Sequence, residues 1–387
     1  MERISMKSKK EIILAKKYRY RRSSKEAKGK ILDSLVDTTG LSRKHIARVL
    51  NGSYEYEPTV GRSARGRKHK YGVEHKDVLL RVWHLLGHVC SVRLKASLRD
   101  TLKNLVDHQV LDLPPQLIKE LEEISASTIG RMLKYDRAKL HPLGISTTKP
   151  GSLLKHQIPI RRGSDWDDAV PGFTEIDLVA HCGSKSQGEY INTLDCTDVS
   201  STWTECRAVL NKSRFHTLNA MEAIRQRLPF PLLGIDSDNG SEFINDHFVY
   251  YAREHNLILT RSRANTSNDS CYVEQKNWSV VRKAVGYARF EGQEMVDLLN
   301  EFYEQLSLFN NFFLSSQKLM LRERDGGKVR KKHDQALTPF RRLLMDPKVS
   351  DDVKTKLLDT FSQLNLFEIR TRMDNLLEKI HALSIRY

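Results

Sequence analysis

Three observations predict an α/β fold built on a mixed five-stranded sheet with helices on both faces. Strand-like runs begin at Phe173, helical runs interleave with them after Leu218, and the ordered runs before residue 141 read as helices. All-α helix-turn-helix modules precede the sheet, and a mostly helical region follows it. Phe173–Cys182, Tyr190–Thr197 and Thr202–Val209 are β-rich and separated by turn residues. Leu218–Leu228 is helical, and Leu232–Asp236 is a short apolar strand after two prolines. Asn245–His255 is helical, Leu257–Arg261 is a strand, and Tyr272–Tyr287 is a helix. The order β-β-β-α-β-α-β-α describes a three-strand meander followed by crossovers to parallel partners.

The front divides into two modules, residues 1–60 and 61–140. Residues 1–25 are dense in Lys and Arg and are expected to fray. Lys28–Thr38 places Ile31, Leu32, Leu35 and Val36 on one face. Gly40 breaks that helix, and Ser42 caps a second one with Ile46, Val49 and Leu50 inward. This is a helix-turn-helix pattern, and it turns Arg43, Lys44, His45 and Arg48 outward, where a recognition helix meets the major groove. Gly61–Lys70 has no large apolar residue and reads as an extended basic arm carrying Arg62, Arg65 and Arg67. Val73–Gly87 and Val92–His108 are further helices. Leu117–Ile124 and Ser127–Lys139 form a second helix-turn-helix candidate that exposes Thr128, Arg131 and Lys134. His84 and His88 have metal-ligand spacing but lack further ligands nearby, so packing or solvent roles are favoured. Residues 141–170 carry linker chemistry, with prolines at 142, 150 and 159.

After the core, residues 171–290, comes a helical region, residues 291–387. Glu294–Phe313 is a helix. Gln317–Asp334 is basic and loop-like. The last helix carries Ile369, Met373, Leu376, Ile380 and Leu383, too short a seam for a coiled coil, so it is expected to pack on the body.

Charge separates the two ends of the problem. The 387 residues carry a net charge of +16. Residues 1–70 hold 20 Lys and Arg against 7 Asp and Glu, whereas residues 171–280 hold 10 against 14. A basic front suits phosphate binding through counterion release, and an acidic centre suits a cation site. No apolar run approaches the ~18 residues of a membrane span. The five cysteines are odd in number and form no CxxC pair, which points to free thiols and a cytoplasmic location.

Asp177 lies inside the first strand, Asp238 lies just past the fourth, and Glu274 opens a helix after a gap of 35 residues. Strand ends in mid-sheet can bring two carboxylates together, and a crossing helix can supply a third. Converging carboxylates hold hard divalent cations, Mg²⁺ or Mn²⁺, and two such ions serve in-line phosphoryl displacement. Asp236 shares its side of the strand with Asp238. Asp238 is preferred because the Asn-Gly turn follows it. Asp195 and Asp198 are lesser candidates. His181 and Cys182 lack a partner pair and read as structural.

The stretches KPGSLLKHQIP, PGFTEIDLVAHCG, LPFPLLGIDSDNGSEFIN and YVEQKNWSVVRKAVGY resemble bacterial insertion-sequence transposases whose catalytic core is similar to that of retroviral integrases. The resemblance implies an RNase H-like fold and a metal-dependent polynucleotidyl transferase and endonuclease. It carries the metal ligands onto Asp177, Asp238 and Glu274, and implies two Mg²⁺ or Mn²⁺ ions per site. Asn277 matches a polar position one turn past the glutamate. Lys276, Arg282 and Lys283 share that helix and are expected to face DNA. The implied partners are double-stranded DNA, both element ends and target, and further copies of the chain assembled on it at the nucleoid, with no membrane. Two rivals remain: a DNA-binding regulator with an inactive core, which the intact trio opposes, and a nuclease that only hydrolyses, which the DNA-reading front opposes.

Overall fold

The computed structural model describes residues 5–52, 70–140, 170–237, 243, 245–261, 276–325 and 328–385. The basic arm at 61–69, the linker at 141–169, Asp238, Glu274 and Tyr272 lie outside them. The chain forms two compact units, Met1–His69 and Lys70–Tyr387.

In the first unit the expected fraying is overturned. Residues 6–22 form helices α1 (Met6–Ala15) and α2 (Lys17–Arg22). Ile13 and Tyr20 are buried, and they anchor this basic stretch to the module's own core. Helices α3 (Lys25–Thr39) and α4 (Arg43–Asn51) complete it, joined at Gly40 with φ +66°, a left-handed turn that favours glycine. Ser42 caps α4 by accepting from the His45 amide. Ile46, Val49 and Leu50 point inward, as the 3-4 spacing demands. Arg43, Lys44 and Arg48 are exposed and His45 is half-buried; Arg43 also pairs with Asp33.

The second unit holds the sheet. Its strands are β1 (Phe173–Ala180), β2 (Asn192–Asp198), β3 (Thr204–Val209), β4 (Gly234–Ser237) and β5 (Ile258–Arg261). They run in the order β3-β2-β1-β4-β5, with β1, β2 and β3 antiparallel and β1, β4 and β5 parallel. This is the expected five-stranded mixed sheet. Helices α10 (Arg214–Arg227) and α11 (Asp246–Glu254) cover one face over Ile176, Leu194, Cys196 and Ile235. The other face meets α12, a π-helical turn Asn277–Arg282 continued by Lys283–Val285, and α13 (Gln293–Leu308), extended by the π turn Phe309–Phe313. Gly234 allows the tight entry to β4: a Cβ there would stand 2.7 Å from the Phe173 ring and 3.0 Å from the Ile258 carbonyl.

Edge strand β3 would leave backbone groups unpaired. Two asparagines supply partners. Asn300 brackets the Ala208 amide and carbonyl at 2.8 and 3.2 Å, and Asn311 does the same for Thr204 at 2.9 and 3.0 Å.

Helices α5 (Val73–Leu85), α6 (Ser91–Asp107), α7 (Pro115–Glu123), α8 (Ala126–Met132) and α9 (Lys134–Leu140) belong to this second unit. A buried polar stripe on α6 binds the C-terminal region. Ser97 accepts from the Ser315 amide, Asp100 takes the Arg341 guanidinium, and Asn104 bridges Leu364 and Leu366. Helices α14 (Pro339–Met345), α15 (Asp351–Gln363) and α16 (Leu366–Leu383) finish the chain. In α16, Ile369, Met373, Leu376 and Ile380 are buried, while Leu383 is exposed. The loop expected at 317–334 is instead an antiparallel ribbon of β6 (Leu319–Asp325) and β7 (Lys328–His333). Charge concealed its strand character, because basic residues blur the apolar alternation on which a strand reading depends.

The β2–β3 turn hangs on Asp198. One oxygen accepts from the Gly172 amide at 2.7 Å, and the other accepts from the Ser201 amide and hydroxyl, both at 2.6 Å. Asp198→Ala would leave those donors unmet in a buried place. It should cost about 3 kcal/mol in urea unfolding, and a loss below about 1 kcal/mol would show the turn to be held by other contacts.

Candidate active site

Asp177 sits in mid-strand on β1, directly opposite Asp195 on β2. Opposed residues of a ladder share a face, so both carboxylates lie on the α12 side, away from Ile176. The parallel pairing with β4 matches Glu175 to Asp236 and Ile176 to Ser237. The described part of β4 thus ends at the rung before Asp177, and Asp238 follows Ser237 in the sequence.

Helix α12 crosses this face. The Asn277 amide donates to Asp177 Oδ2 at 2.5 Å, and the other Asp177 oxygen accepts from the Leu178 amide at 2.8 Å. One oxygen is thereby aimed by the helix and the other by the strand itself. Lys276 turns inward: its ammonium reaches the Thr202 carbonyl at 3.4 Å. Burial lowers its proton affinity, and the nearby charge of Asp195 opposes that drop. Asp195 is fully buried. It accepts from Thr197 Oγ1 at 3.2 Å, and Oδ2 has no hydrogen-bond partner among the described residues. Burial raises its pKa, with Lys276 opposing and Asp177 reinforcing the rise. The two groups are tied by charge rather than by a direct bond.

The other sequence candidates fall into place around this pair. Asp236 is buried and accepts from Thr260 Oγ1 at 2.6 Å across to β5. Asp198 is engaged in the turn. Arg282 donates to the Ala180 carbonyl at 2.6 Å and lies over the Tyr287 ring, while Lys283 is exposed. His181 is buried, hydrogen-bonded to Thr193 Oγ1 at 2.8 Å, and held neutral by a pKa lowered to about 3 through burial and then the Arg282 charge. His84 and His88 bond to each other at 2.7 Å. On α8, Arg131 is exposed and donates to Thr128 at 3.1 Å, and Lys134 is exposed just beyond. Arg62, Arg65 and Arg67 lie outside the described residues, as do Asp238 and Glu274. Among the described residues no three His, Cys, Asp or Glu side chains converge as a metal cluster.

The inward turn of Lys276 was not legible from a 3.6-residue period. The π-helical turn widens the repeat, buries Val280 and Val281 together and leaves Trp278 exposed. Charge alone had suggested a solvent-facing or DNA-facing lysine.

The strand order and the carboxylate on β1 define the second unit's sheet as an RNase H-like α/β core. No family model matches the chain. It is 37% identical over 340 residues to the uncharacterized protein y4rM of Sinorhizobium fredii, spanning 88% of this chain and 96% of that one. The chain belongs to the same family as that protein. Among solved structures it is similar to the catalytic core domain of HTLV-2 integrase in complex with magnesium, at 15% identity and TM-score 0.29, over 38% of this chain and 91% of that one. It is likewise similar to the catalytic core domain of BIV integrase, at 13% identity and TM-score 0.29, over 44% and 91%.

The Asp195–Lys276 relation is open to a double-mutant cycle. Lys276→Met strands a buried carboxylate and should destabilise by about 3 kcal/mol. Adding Asp195→Asn should restore most of that loss in urea unfolding. Additive costs in the double variant would show that the two charges do not interact.

Proposed function

We propose that the chain is a DNA transposase: a metal-dependent polynucleotidyl transferase that cuts the ends of a mobile element and joins them to target DNA. The observation that carries this reading is the Asp177 carboxylate, held in mid-sheet by Asn277, three residues after Glu274 in the sequence, beside a parallel strand ending at Ser237, the residue before Asp238.

Asp177, Asp238 and Glu274 are the residues proposed to hold Mg²⁺ or Mn²⁺. An all-carboxylate donor set fits such hard cations, and Asp177, half-buried on the sheet, is the member whose surroundings are described. When bound, the metal pair would supply charge neutralisation for in-line phosphoryl displacement. The chain's own part is orientation. Asn277 limits the rotation of Asp177, and the buried Asp195 shares its face of the sheet, with the half-buried Lys276 on the helix that crosses that face. Two displacements follow in turn. Water first attacks a phosphodiester at the element's end and frees a 3′-hydroxyl. That hydroxyl then attacks a target phosphate and expels a 3′-oxygen of the target strand. No covalent protein–DNA intermediate is needed. Arg43, Lys44 and Arg48 on α4, with Thr128, Arg131 and Lys134, are the proposed reading surfaces for element ends; Arg282 and Lys283 are the proposed contacts near the site. A cytoplasmic protein acting at the nucleoid, as copies assembled on DNA, accords with this. Among the described residues no helix is long and apolar enough to cross a membrane.

The decisive experiment incubates the protein with Mn²⁺ and a labelled end of its own flanking repeat, and follows cleavage and joining. Asp238→Asn should reduce joining by at least about a hundredfold, of the order lost with a main electrostatic element of a site. Asp236→Asn, which disturbs a bond to Thr260 instead, should cost less. An inactive Asp236→Asn with an active Asp238→Asn would mean that the register is wrong. Tyr272→Phe should retain joining that disappears with chelator or with Glu274→Gln. Loss of joining in Tyr272→Phe, with a trapped phosphotyrosine adduct in the unmodified protein, would replace the metal reading by a tyrosine one.

A further inference from the structure

Arg93 stands near the start of α6, and the site described above makes no use of it. The side chain is half-buried. Its Nε donates to the Ser315 carbonyl, and the Ser315 hydroxyl donates back to the Arg93 carbonyl at 2.8 Å. The Ser315 amide donates to Ser97 Oγ at 3.2 Å, and Ser315 is fully buried. The stem of the arginine is therefore clamped between α6 and the segment that follows Phe313. Holding that segment needs a single N–H. Among the described residues the two terminal amines meet no hydrogen-bond partner, and no carboxylate pairs with the guanidinium. A charge drawn partly out of water without an opposing charge carries a cost, and burial lowers the proton affinity of Arg93. A role confined to packing would be met better by a neutral donor.

Its place is between two surfaces already described. Ser91, two residues earlier, faces α8: a Cβ on Gly130 would stand 3.3 Å from Ser91 Oγ. On the other side, Ser316 Oγ meets Thr202 Oγ1 at 2.9 Å, and the Thr202 carbonyl receives Lys276, the neighbour of the Asn277 that orients Asp177. Arg93 thus lies along a chain of direct contacts that runs from α8, with its exposed Arg131, to the site carboxylate. Lys283 is exposed on α12 and has no acidic partner among the described residues. Partial burial and then the Arg93 charge lower its proton affinity. Two cations that feel each other, with no carboxylate paired to either, favour the arrival of an anion. A guanidinium anchored through Nε presents a planar fork that suits a phosphate, whose oxygens accept parallel N–H bonds.

We propose that Arg93 is a phosphate-holding residue on the DNA path: its terminal amines grip one phosphodiester of the element-end duplex, between the stretch that α8 reads and the bond cut beside Asp177, with Lys283 on the flank. The assignment rests on the transposase reading in taking DNA as the anion.

The test uses the full-length protein and a duplex carrying the end of its own flanking repeat, with chelator present so that no chemistry intervenes. R93Q should bind roughly tenfold more weakly, the scale of a lost hydrogen bond to a charged group. Its log K against log salt slope should fall by about 0.9, as one lost phosphate contact requires. R99Q removes the same charge from an exposed place on the same helix, where Arg99 lies 3.7 Å from Glu122, and should change neither quantity appreciably. A scan with single methylphosphonates, each neutralising one phosphate, then locates the contact. The unmodified protein and R99Q should be sensitive at one position near the cut bond, and R93Q should lose that sensitivity while keeping the others. An unchanged slope in R93Q, or a scan identical to that of the unmodified protein, would overturn the assignment and leave Arg93 as a clamp on Ser315. Equal losses in R93Q and R99Q would reduce the effect to net charge and overturn it as well. Thermal melts check that both variants are folded, and phenylglyoxal labelling of the unmodified protein needs no variant. The duplex should shield Arg93 and leave Arg99 reactive, whereas an Arg93 equally reactive with and without DNA would overturn the assignment. Joining in Mn²⁺ is scored separately. An inactive protein that still shows the Arg93-dependent phosphate rejects the transposase reading alone. An active protein whose R93Q variant keeps both slope and sensitive position rejects the Arg93 assignment alone.

Discussion

Strand β1 is hydrogen-bonded along both edges, antiparallel to β2 and parallel to β4, and both faces are covered by helices. A charge on such a strand is held where water is scarce and must be met by protein groups. Asp177 occupies that position, and much of the surrounding polar architecture answers to it. Asn277 gives it an amide, the strand gives it a backbone N–H, and the neighbouring Asp195 is offset by the inward-turned Lys276. The π-helical turn is what lets Lys276 and Asn277 both address the sheet while Val280 and Val281 pack beneath it.

The β2–β3 turn joins otherwise separate parts of the second unit. Asp198 ties it to Gly172 at the entry to β1, Thr202 receives Lys276, and Ser200 and Thr202 hold the root of the basic ribbon. Thr202 adopts φ +63°, uncommon for a residue other than glycine, and the buried hydrogen bonds around it keep it there. Shifts in this turn would reach both the site and the ribbon through direct bonds.

The helices at 73–140 share a core with the C-terminal helices rather than standing apart from them. The buried stripe of Ser97, Asp100 and Asn104 makes this a specific fit, because each polar group is matched by a partner more than two hundred residues away. Whatever Arg131 and Lys134 contact is therefore coupled mechanically to the body that carries the sheet.

The sequence by itself determined the strand count of the five-stranded sheet, the order of its strands along the chain, the helices between them and the carboxylates worth testing. Those features follow from local periodicity and from residue types whose chemistry does not depend on their neighbours. It also determined the inward faces of α4 and, except for the exposed Leu383, of α16. Tertiary structure decided the rest. The N-terminal helices depend on Ile13 and Tyr20 finding Leu32 and Ile46, and no charge count reveals that contact. The ribbon emerges only when two basic segments pair with each other, since cross-strand bonds are invisible to a single-strand pattern. Lys276 and Lys283 belong to one sequence run with the same charge, yet one amine turns inward to the Thr202 carbonyl and the other is exposed. A π turn and an opposing strand made that distinction, and both are properties of packing rather than of sequence period.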